Sequence, residues 1–415
     1  MQAGPLTTLV RLVHSRNGFY SRKLDDGGVA VGALRFPEDL SRLPLTSKAE
    51  LVADQEAHPP WGTVLTEPLD RYTRYHQTSS TTGHPLRWVD TNESWQQMLE
   101  CWKAVYRGAK VGANDRIFFA FSFGPFLGFW TAFEAACQLG AHAIPGGGMS
   151  SQQRLAAIDE LGATVVCCTP TYALRLAEVA AERSAASPLA DGSVQTLIVA
   201  GEPGGSIPAT RERIERAWGA RVIDHYGLTE VGPVGFECRA GPGFLHLNEN
   251  AFVCEVLDPE TATAVPDGRP GQLVVTSVCR GASPVIRYET GDIVVRQSAP
   301  CRCGRTLARI EGGVLARADD MVTIRGMNLY PAAIEAVVRR FDEVVEFRST
   351  VSSAETMQSL SVEIELAPGT QDQEAVRSRL AQQLRAVLGL TMSVRVVVAG
   401  TLPRFEMKAR RLVVE

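Results

Sequence analysis

The sequence predicts an α/β protein, with a large N-terminal domain of parallel sheets covered by helices, a small β subdomain, and a C-terminal α+β domain. Three observations carry this expectation. Short, continuously apolar runs alternate with helix-length segments from residue 116 to 228. Helices then vanish between about 235 and 310, where short alternating strands are separated by Gly and Pro. From about 318 to the end a helix–strand pattern restarts on its own. The 415 residues exceed what one hydrophobic core normally supports.

In order, residues 1–70 read as an irregular cap, with helical pieces around LTTLVRLV and SKAELVADQ broken by GG, FPED and HPPWG. Residues 71–235 read as the α/β core. The apolar run RIFFAFSF (116–123) precedes a helix from Phe126 to Leu139, which Gly140 stops. HAIP leads through Gly146, Gly147 and Gly148 to Ser150 and Ser151, which can cap the helix QQRLAAIDEL. The strands TVVCCT, QTLIVAG and ARVIDHYG follow, with helices at TYALRLAEVAAE and ATRERIERAW. Residues 236–317 form the β subdomain through VCEVLD, GQLVVTSV and DIVVRQ. Residues 318–415 form the C-terminal domain, with a Pro331-started helix (PAAIEAVVRRF) and the strands SLSVEIELA and SVRVVV. Between those strands, Val376, Leu380, Leu384, Val387 and Leu388 mark one apolar helix face.

Hydrophobic residues make up 45% and charged residues 21%, an ordinary globular balance, and the net charge of -4 gives no footing for a nucleic acid. MQAGPLTTLVRLVHSR lacks the apolar core of a signal peptide, and no run approaches the ~18 apolar residues that cross a membrane. Nine cysteines, an odd number without a secretion signal, favour a cytoplasmic chain using thiols and a metal over one stapled by disulfides.

The segment from His76 to Pro85 offers the hydroxyls of Thr78, Ser79, Ser80, Thr81 and Thr82, and successive backbone N–H groups, to phosphate oxygens. A Ser/Thr run alone is more often a solvated turn, and no Walker loop is present. More specific signals follow it. His225-Tyr226-Gly227-Leu228-Thr229-Glu230 resembles a YGxTE motif, and Ile286-Arg287-Tyr288-Glu289-Thr290-Gly291-Asp292 resembles RYxTGD. Ala316-Arg317-Ala318-Asp319-Asp320 resembles GRxDD, and Leu402-Pro403-Arg404-Phe405-Glu406-Met407-Lys408 resembles PRxxxGK. Singly, Asp292 could cap a turn, Glu230 could be a surface carboxylate, and Lys408 could be one lysine of a basic tail. In this order and spacing the four resemble the adenylate-forming superfamily. Asn17-Gly18-Phe19-Tyr20, the segment from Leu43 to Lys48 and Arg325-Gly326-Met327-Asn328-Leu329-Tyr330-Pro331 are most similar to the phenylacetate–CoA ligase group.

That resemblance implies an ATP-dependent acid–thiol ligase. It would activate a carboxylic acid, an aromatic one by the pocket residues, as acyl-AMP and transfer it to coenzyme A. Delivery to a carrier-protein phosphopantetheine or an amine, and a weakened acyl-adenylate binding protein, stay open as alternatives. By resemblance Tyr226 packs on adenine, Thr229 contacts phosphate, Glu230 holds Mg²⁺ and Asp292 accepts the ribose hydroxyls. Arg317 reaches the nucleotide, Asp319 is the hinge of a mobile C-terminal domain, and Lys408 catalyses adenylation. Gly201, Glu202, Pro203, Asp224, His225 and Gly227 complete the nucleotide-binding set. Phe123, Gly124, Trp130, Gly146, Gly147 and Ala200 are the expected acyl pocket. Ser80 and His84 stand where the group has Gly and Lys, and Ala316 and Met407 replace glycines. These departures bear on efficiency more than on fold.

Cys238-x7-His246 and Cys301-x-Cys303 supply four ligands, enough for a closed tetrahedral Zn²⁺ site. Spacing alone also fits buried free cysteines beside a surface histidine. Some relatives of the resembled group carry a matching site, which favours a structural zinc. The expected partners are therefore a small aromatic acid and coenzyme A, with no nucleic acid and no membrane. A homodimer is left open.

Overall fold

The computed structural model describes residues 3–78, 85–183, 189–317, 322–324, 327–354, 357–405, 409 and 411–414. The expected loop residues Ser79, Ser80, Thr81 and Thr82, the hinge residue Asp319 and Lys408 lie outside the described residues.

Its main feature is a sheet of eleven described strands that changes character along its width. His142–Pro145, Arg116–Phe119, Val165–Cys168, Thr196–Val199 and Arg221–Leu228 run parallel. Beyond Arg221–Leu228 every pairing is antiparallel, through Gly232–Glu237, Phe244–Leu247, Arg309–Arg317, Tyr288–Gln297 and Pro270–Ser277 to Phe252–Leu257. Arg221–Leu228 is thus a seam, parallel on one edge and antiparallel on the other.

Strand alternation sorts the parallel half into two cores. Ile117, Phe119, Val165, Cys167, Ile198 and Ile223 face the helices Asn92–Ala109 and Leu127–Leu139. Phe118, Val166, Cys168, Leu197, Val199 and Val222 face Ser151–Glu160, Pro170–Arg183 and Pro208–Trp218. Strands buried on both faces read as unbroken apolar runs, which is why they were legible. Local signals set the helix limits. Ser150 and Gln153 form a capping box, Pro208 occupies the first turn, and Gly140 ends its helix at φ 84°.

Three expectations change. The run 116–123 forms a strand only to Phe119, because the Phe121 and Gly124 amides bond to the carbonyls of Phe119 and Ser122 and curl the chain out of the sheet. The first 70 residues are more regular than an irregular cap. Helices Ala3–Arg16, Gly18–Asp26 and Lys48–Ala57 pack their apolar sides against the antiparallel half of the sheet, in one core with Val253, Val275 and Ile310. Val387 is 48% exposed, because the buried row of the helix Gln373–Leu388 runs through Val376, Leu380 and Leu384 and then leans toward Leu388.

One buried ion pair ties the seam together. Arg280 and Asp90, both fully buried, pair through Nε–Oδ1 at 2.6 Å and Nη2–Oδ2 at 2.5 Å. The same guanidinium donates Nη1 to the Thr229 carbonyl at 2.6 Å and lies 5.3 Å from the Trp88 ring. Asp90→Ala would strand the buried cation. We expect a loss of about 3–5 kcal/mol in urea-melt stability.

The C-terminal part carries a four-stranded sheet in the order Ser393–Val397, Met357–Leu366, Val344–Ala354, Leu412–Val414. Helices Pro331–Val338 and Gln373–Leu388 share its core. It touches the first part through Arg213 Nη1 to the Val344 carbonyl at 3.0 Å and Arg216 to Asp342 at 2.8 Å. Among the described residues no helix is long and apolar enough to cross a membrane.

Candidate active site

The motif residues gather where the seam strand ends, outside the carboxyl ends of the parallel strands. Gly227 is required there: a Cβ on it would lie 2.8 Å from the Gly232 carbonyl. Tyr226 donates its phenol to Asp292 Oδ2 at 2.5 Å, and Arg317 approaches Asp292 Oδ1 at 3.4 Å. Sheet register brings the last two together, since Asp292 pairs with Arg317 across adjacent strands. Burial and the neighbouring Asp292 carboxylate push the Tyr226 phenol far above its ordinary range, so it stays a proton donor.

Glu230 is 4% exposed and lies beside Tyr288, whose phenol reaches its Oε1 at 3.2 Å. Lys48 Nζ lies 3.2 Å from the same oxygen. Sequence reading assigned Lys48 no role, although it closes the Leu43–Lys48 segment. The Ser47–Glu50 capping box fixes the helix start that holds it. Thr78 opens the hydroxyl-rich loop, its Oγ1 accepting the Leu86 amide at 3.1 Å and its amide donating to the Leu86 carbonyl at 3.0 Å.

Asp224 is a buried residue of the seam strand itself. Ser206 donates to it at 2.5 Å and burial pushes its carboxyl up to about 6. Glu202 accepts the Thr171 amide at 2.8 Å and, through Oε2, the Ala409 amide at 2.8 Å. Desolvation raises its carboxyl above the ordinary range. Pro203 beside it is exposed.

A cavity of about 130 Å³ opens next to Thr229, and its walls include Phe121, Phe129, Trp102, His225, Gly201 and Ala200. Of the six expected pocket residues only Ala200 lines it. Because the chain leaves the sheet at Phe119, Phe123 turns onto Trp130, ring centroids 5.0 Å apart. Trp130 bonds the Gly124 carbonyl at 3.0 Å, and Gly147 lies beside Phe123. Gly146 instead gives room to Phe118, which a Cβ would approach to 2.7 Å. Trp102 and Phe129 come from the two helices of the first core, where an inward aromatic looks the same in sequence whether it fills a core or borders a cavity.

Away from this site Cys238, His246, Cys301 and Cys303 converge, their ligand atoms all within 4.8 Å of one another. Cys238 Sγ is 3.6 Å from Cys301 Sγ and 3.4 Å from His246 Nε2, which is 3.6 Å from Cys303 Sγ. A tetrahedral zinc site has edges of about 3.5–3.8 Å, so the donors fit. Burial, with Arg305 and Arg309 adding to it, pushes His246 down to about 4, leaving the neutral ring that ligates metals. Burial opposes charge on Cys303, yet hydrogen bonds from Arg305 and the neighbouring thiols bring it down to about 7.

Two family models match this chain. The model for AMP-binding enzymes covers residues 48–281, and the model for their C-terminal domain covers 326–415. The chain belongs to the AMP-binding enzyme family. Among its relatives in that family, phenylacetate-coenzyme A ligase of Thermus thermophilus is 30% identical over 98% of this chain and 94% of its own. The enzyme of the same name from Escherichia coli K12 is 31% identical over 95% and 89%. Crystal structures of 2-hydroxyisobutyryl-CoA ligase extend the comparison to domain arrangement. The postadenylation state with an acyl adenylate superposes with a TM-score of 0.94 at 28% identity, over 99% of this chain and 88% of that one. The thioesterification state of the same ligase reaches only 0.75 over the same share. The two parts of this AMP-binding enzyme are therefore arranged as after adenylation.

Proposed function

We propose that this protein is an AMP-forming ligase that activates a single-ring aromatic carboxylic acid and transfers its acyl group to coenzyme A. The observation that carries the acid class is the cavity of about 130 Å³ beside Thr229. A cavity of ~150 Å³ lined by apolar side chains accepts one benzene ring. Phe121 and Phe129, stacked 4.0 Å apart, border a flat space too small for a long acyl chain.

A carboxylate is a poor acyl donor because its charge repels nucleophiles and oxide leaves badly. Attack of the carboxylate oxygen on the α-phosphorus of ATP forms a mixed anhydride and expels pyrophosphate. Two anions must approach, so the work of the site is electrostatic. In this reading Asp292 receives the ribose hydroxyls, with Tyr226 and Arg317 fixing its carboxylate. The loop from Thr78 to Thr82 and Lys408 meet the phosphates, and Lys48 adds a cation where the loop carries His84. Glu230, a hard oxygen ligand, would hold Mg²⁺, which when bound neutralises phosphate charge. Coenzyme A then attacks the acyl carbon as AMP leaves. That step follows rotation about Asp319, since Lys408 and the thiol need the same space. Cys238, His246, Cys301 and Cys303 would hold a structural zinc with no open position.

The test is acid-dependent ATP–pyrophosphate exchange and CoA thioester formation across a panel of acids. We expect single-ring aryl and arylacetic acids to exceed fatty acids of eight or more carbons by about 100-fold in kcat/KM, the scale of strong pocket discrimination. Preference for the long acids, or exchange with none, would remove this reading.

A further inference from the structure

A cleft of about 320 Å³ lies between the two parts of the chain and shares no described lining residue with the cavity beside Thr229. Arg175, Arg213 and Arg216 of the first part and Arg339, Arg404 and Arg411 of the second line it. Only three carboxylates, Glu178, Asp342 and Glu346, share those walls among the described residues.

Ion pairs occupy five of the six guanidiniums. Arg175 pairs with Glu178 at 3.0 Å, Arg216 with Asp342 at 2.8 Å and Arg404 with Glu365 at 2.7 Å. Arg339 and Arg411 share both Glu335, at 3.5 and 3.4 Å, and Glu346, at 3.7 and 2.6 Å. Arg213 is different. Its Nη1 donates to the Val344 carbonyl at 3.0 Å, and Asp342 and Glu178 act on it only from a distance. Among the described residues no carboxylate pairs with it. Burial, and then Arg339 beside it, lower Arg213 to about 10, so the cation persists at neutral pH in an unfavourable place. Arg339 is itself pushed down by burial and then by Arg411.

An anion between these walls would relieve that repulsion. A phosphate monoester is close to a dianion at neutral pH and accepts paired guanidinium N–H donors, which a carboxylate can do with only one charge. The cleft has about twice the ~150 Å³ that holds a benzene ring, room for a phosphate with a sugar-sized body. A ligand gripped by both walls also favours the arrangement that brings them together.

We propose that this cleft binds a small phosphate monoester, contacted by Arg213 and Arg175, which holds the protein in its postadenylation arrangement. The holding role rests on the ligase reading, and the site itself does not. Coenzyme A carries a phosphate monoester too, but its binding here would oppose its own acylation, so a free ester is the ligand.

Calorimetric titration of the full chain, with AMP filling the nucleotide site, tests the site with glucose 6-phosphate and inorganic phosphate as probes. One probe should bind per chain, and Arg213→Gln and Arg175→Gln should each weaken it by about tenfold or more. Arg175 pairs only within its own helix, with Glu178 and Glu182, so its loss breaks no contact between the two parts. Saturating probe should slow single-turnover thioester formation by about tenfold and change pyrophosphate exchange by less than about twofold. Absence of binding by either probe, or binding equal in wild type and both variants, would overturn the site. Tighter Arg213-dependent binding of adenosine 3′,5′-bisphosphate would overturn the free ester in favour of coenzyme A. Binding that left thioester formation unslowed would overturn the holding role. Failure to turn over any acid would sink the ligase reading, while the titration still decides the site.

Discussion

Lys408→Ala is expected to slow acyl-adenylate formation by about 10²–10⁴-fold, the range for losing a positioned charge at a site where negative charge develops. Consumption of supplied acyl-AMP by CoA should change by less than about tenfold, because in the proposed scheme the lysine leaves before that half-reaction. The argument comes from the residues flanking it. On one side, fully buried Glu365 accepts the Gly400 amide at 3.1 Å and the Leu402 amide, and pairs with Arg404 at 2.7 Å. On the other, Ala409 bonds to Glu202 of the loop that borders the cavity beside Thr229. Arg411 then pairs with Glu346 at 2.6 Å and reaches Thr171 Oγ1 at 3.3 Å. The described residues on both sides of the lysine are thus held, and the second set of contacts joins the two parts of the chain in the arrangement seen here. ATP–pyrophosphate exchange set against single-turnover thioester formation separates the two steps. Equal losses in both would show that Lys408 does not act in adenylation alone, and an unchanged exchange rate would remove it from the chemistry.

The same residues show what a sequence does and does not reveal. The α/β class was legible because strands covered on both faces must be apolar, and 117–119, 165–168 and 197–199 are. Asp292 and Arg317 were legible as motif members, and register is what joins them. The cavity beside Thr229 was not. Its nominated aromatics cluster in the 121–130 segment, but the turn after Phe119 sends Phe123 and Trp130 to one another and brings Phe121 and Phe129 to the cavity. Trp102 carries no local mark, since its helix has an apolar face with or without a cavity beneath it. Arg280 and Asp90 lie 190 residues apart, and neither neighbourhood hints at the other. Contacts that depend on tertiary closure, such as Lys48 to Glu230, leave no periodic trace.

Replacing Cys301 by Ser should release a bound zinc and lower the melting temperature by about 10 °C or more. A structural zinc is worth several kcal/mol of folding, and ~5 kcal/mol corresponds to about 10–20 °C for a domain of this size. Neighbouring sheet strands hold Cys238 and His246 close, but Cys301 and Cys303 lie in a turn outside the sheet ladder. Cys238 follows the strand Gly232–Glu237, His246 lies within Phe244–Leu247, and Cys301 and Cys303 lie in the turn between Tyr288–Gln297 and Arg309–Arg317. Within that turn the backbone bonds are local, Cys301 to Arg305 at 3.0 Å and Gly304 to Cys301 at 2.9 Å. Three thiols and a buried neutral imidazole gain little from one another without an ion, whereas one ion satisfies all four. The effect should also reach the nucleotide. At one end of Arg309–Arg317, Arg309 pairs with His246; at the other, Arg317 pairs with Asp292. Freeing the zinc end lets this strand fray toward the carboxylate assigned to ribose, so the KM for ATP should rise together with the loss of stability. Metal analysis of the purified protein should give one zinc per chain, with the ion lost in the variant. A zinc-free wild type as stable as Cys301→Ser would mean that the cluster is only a buried thiol core.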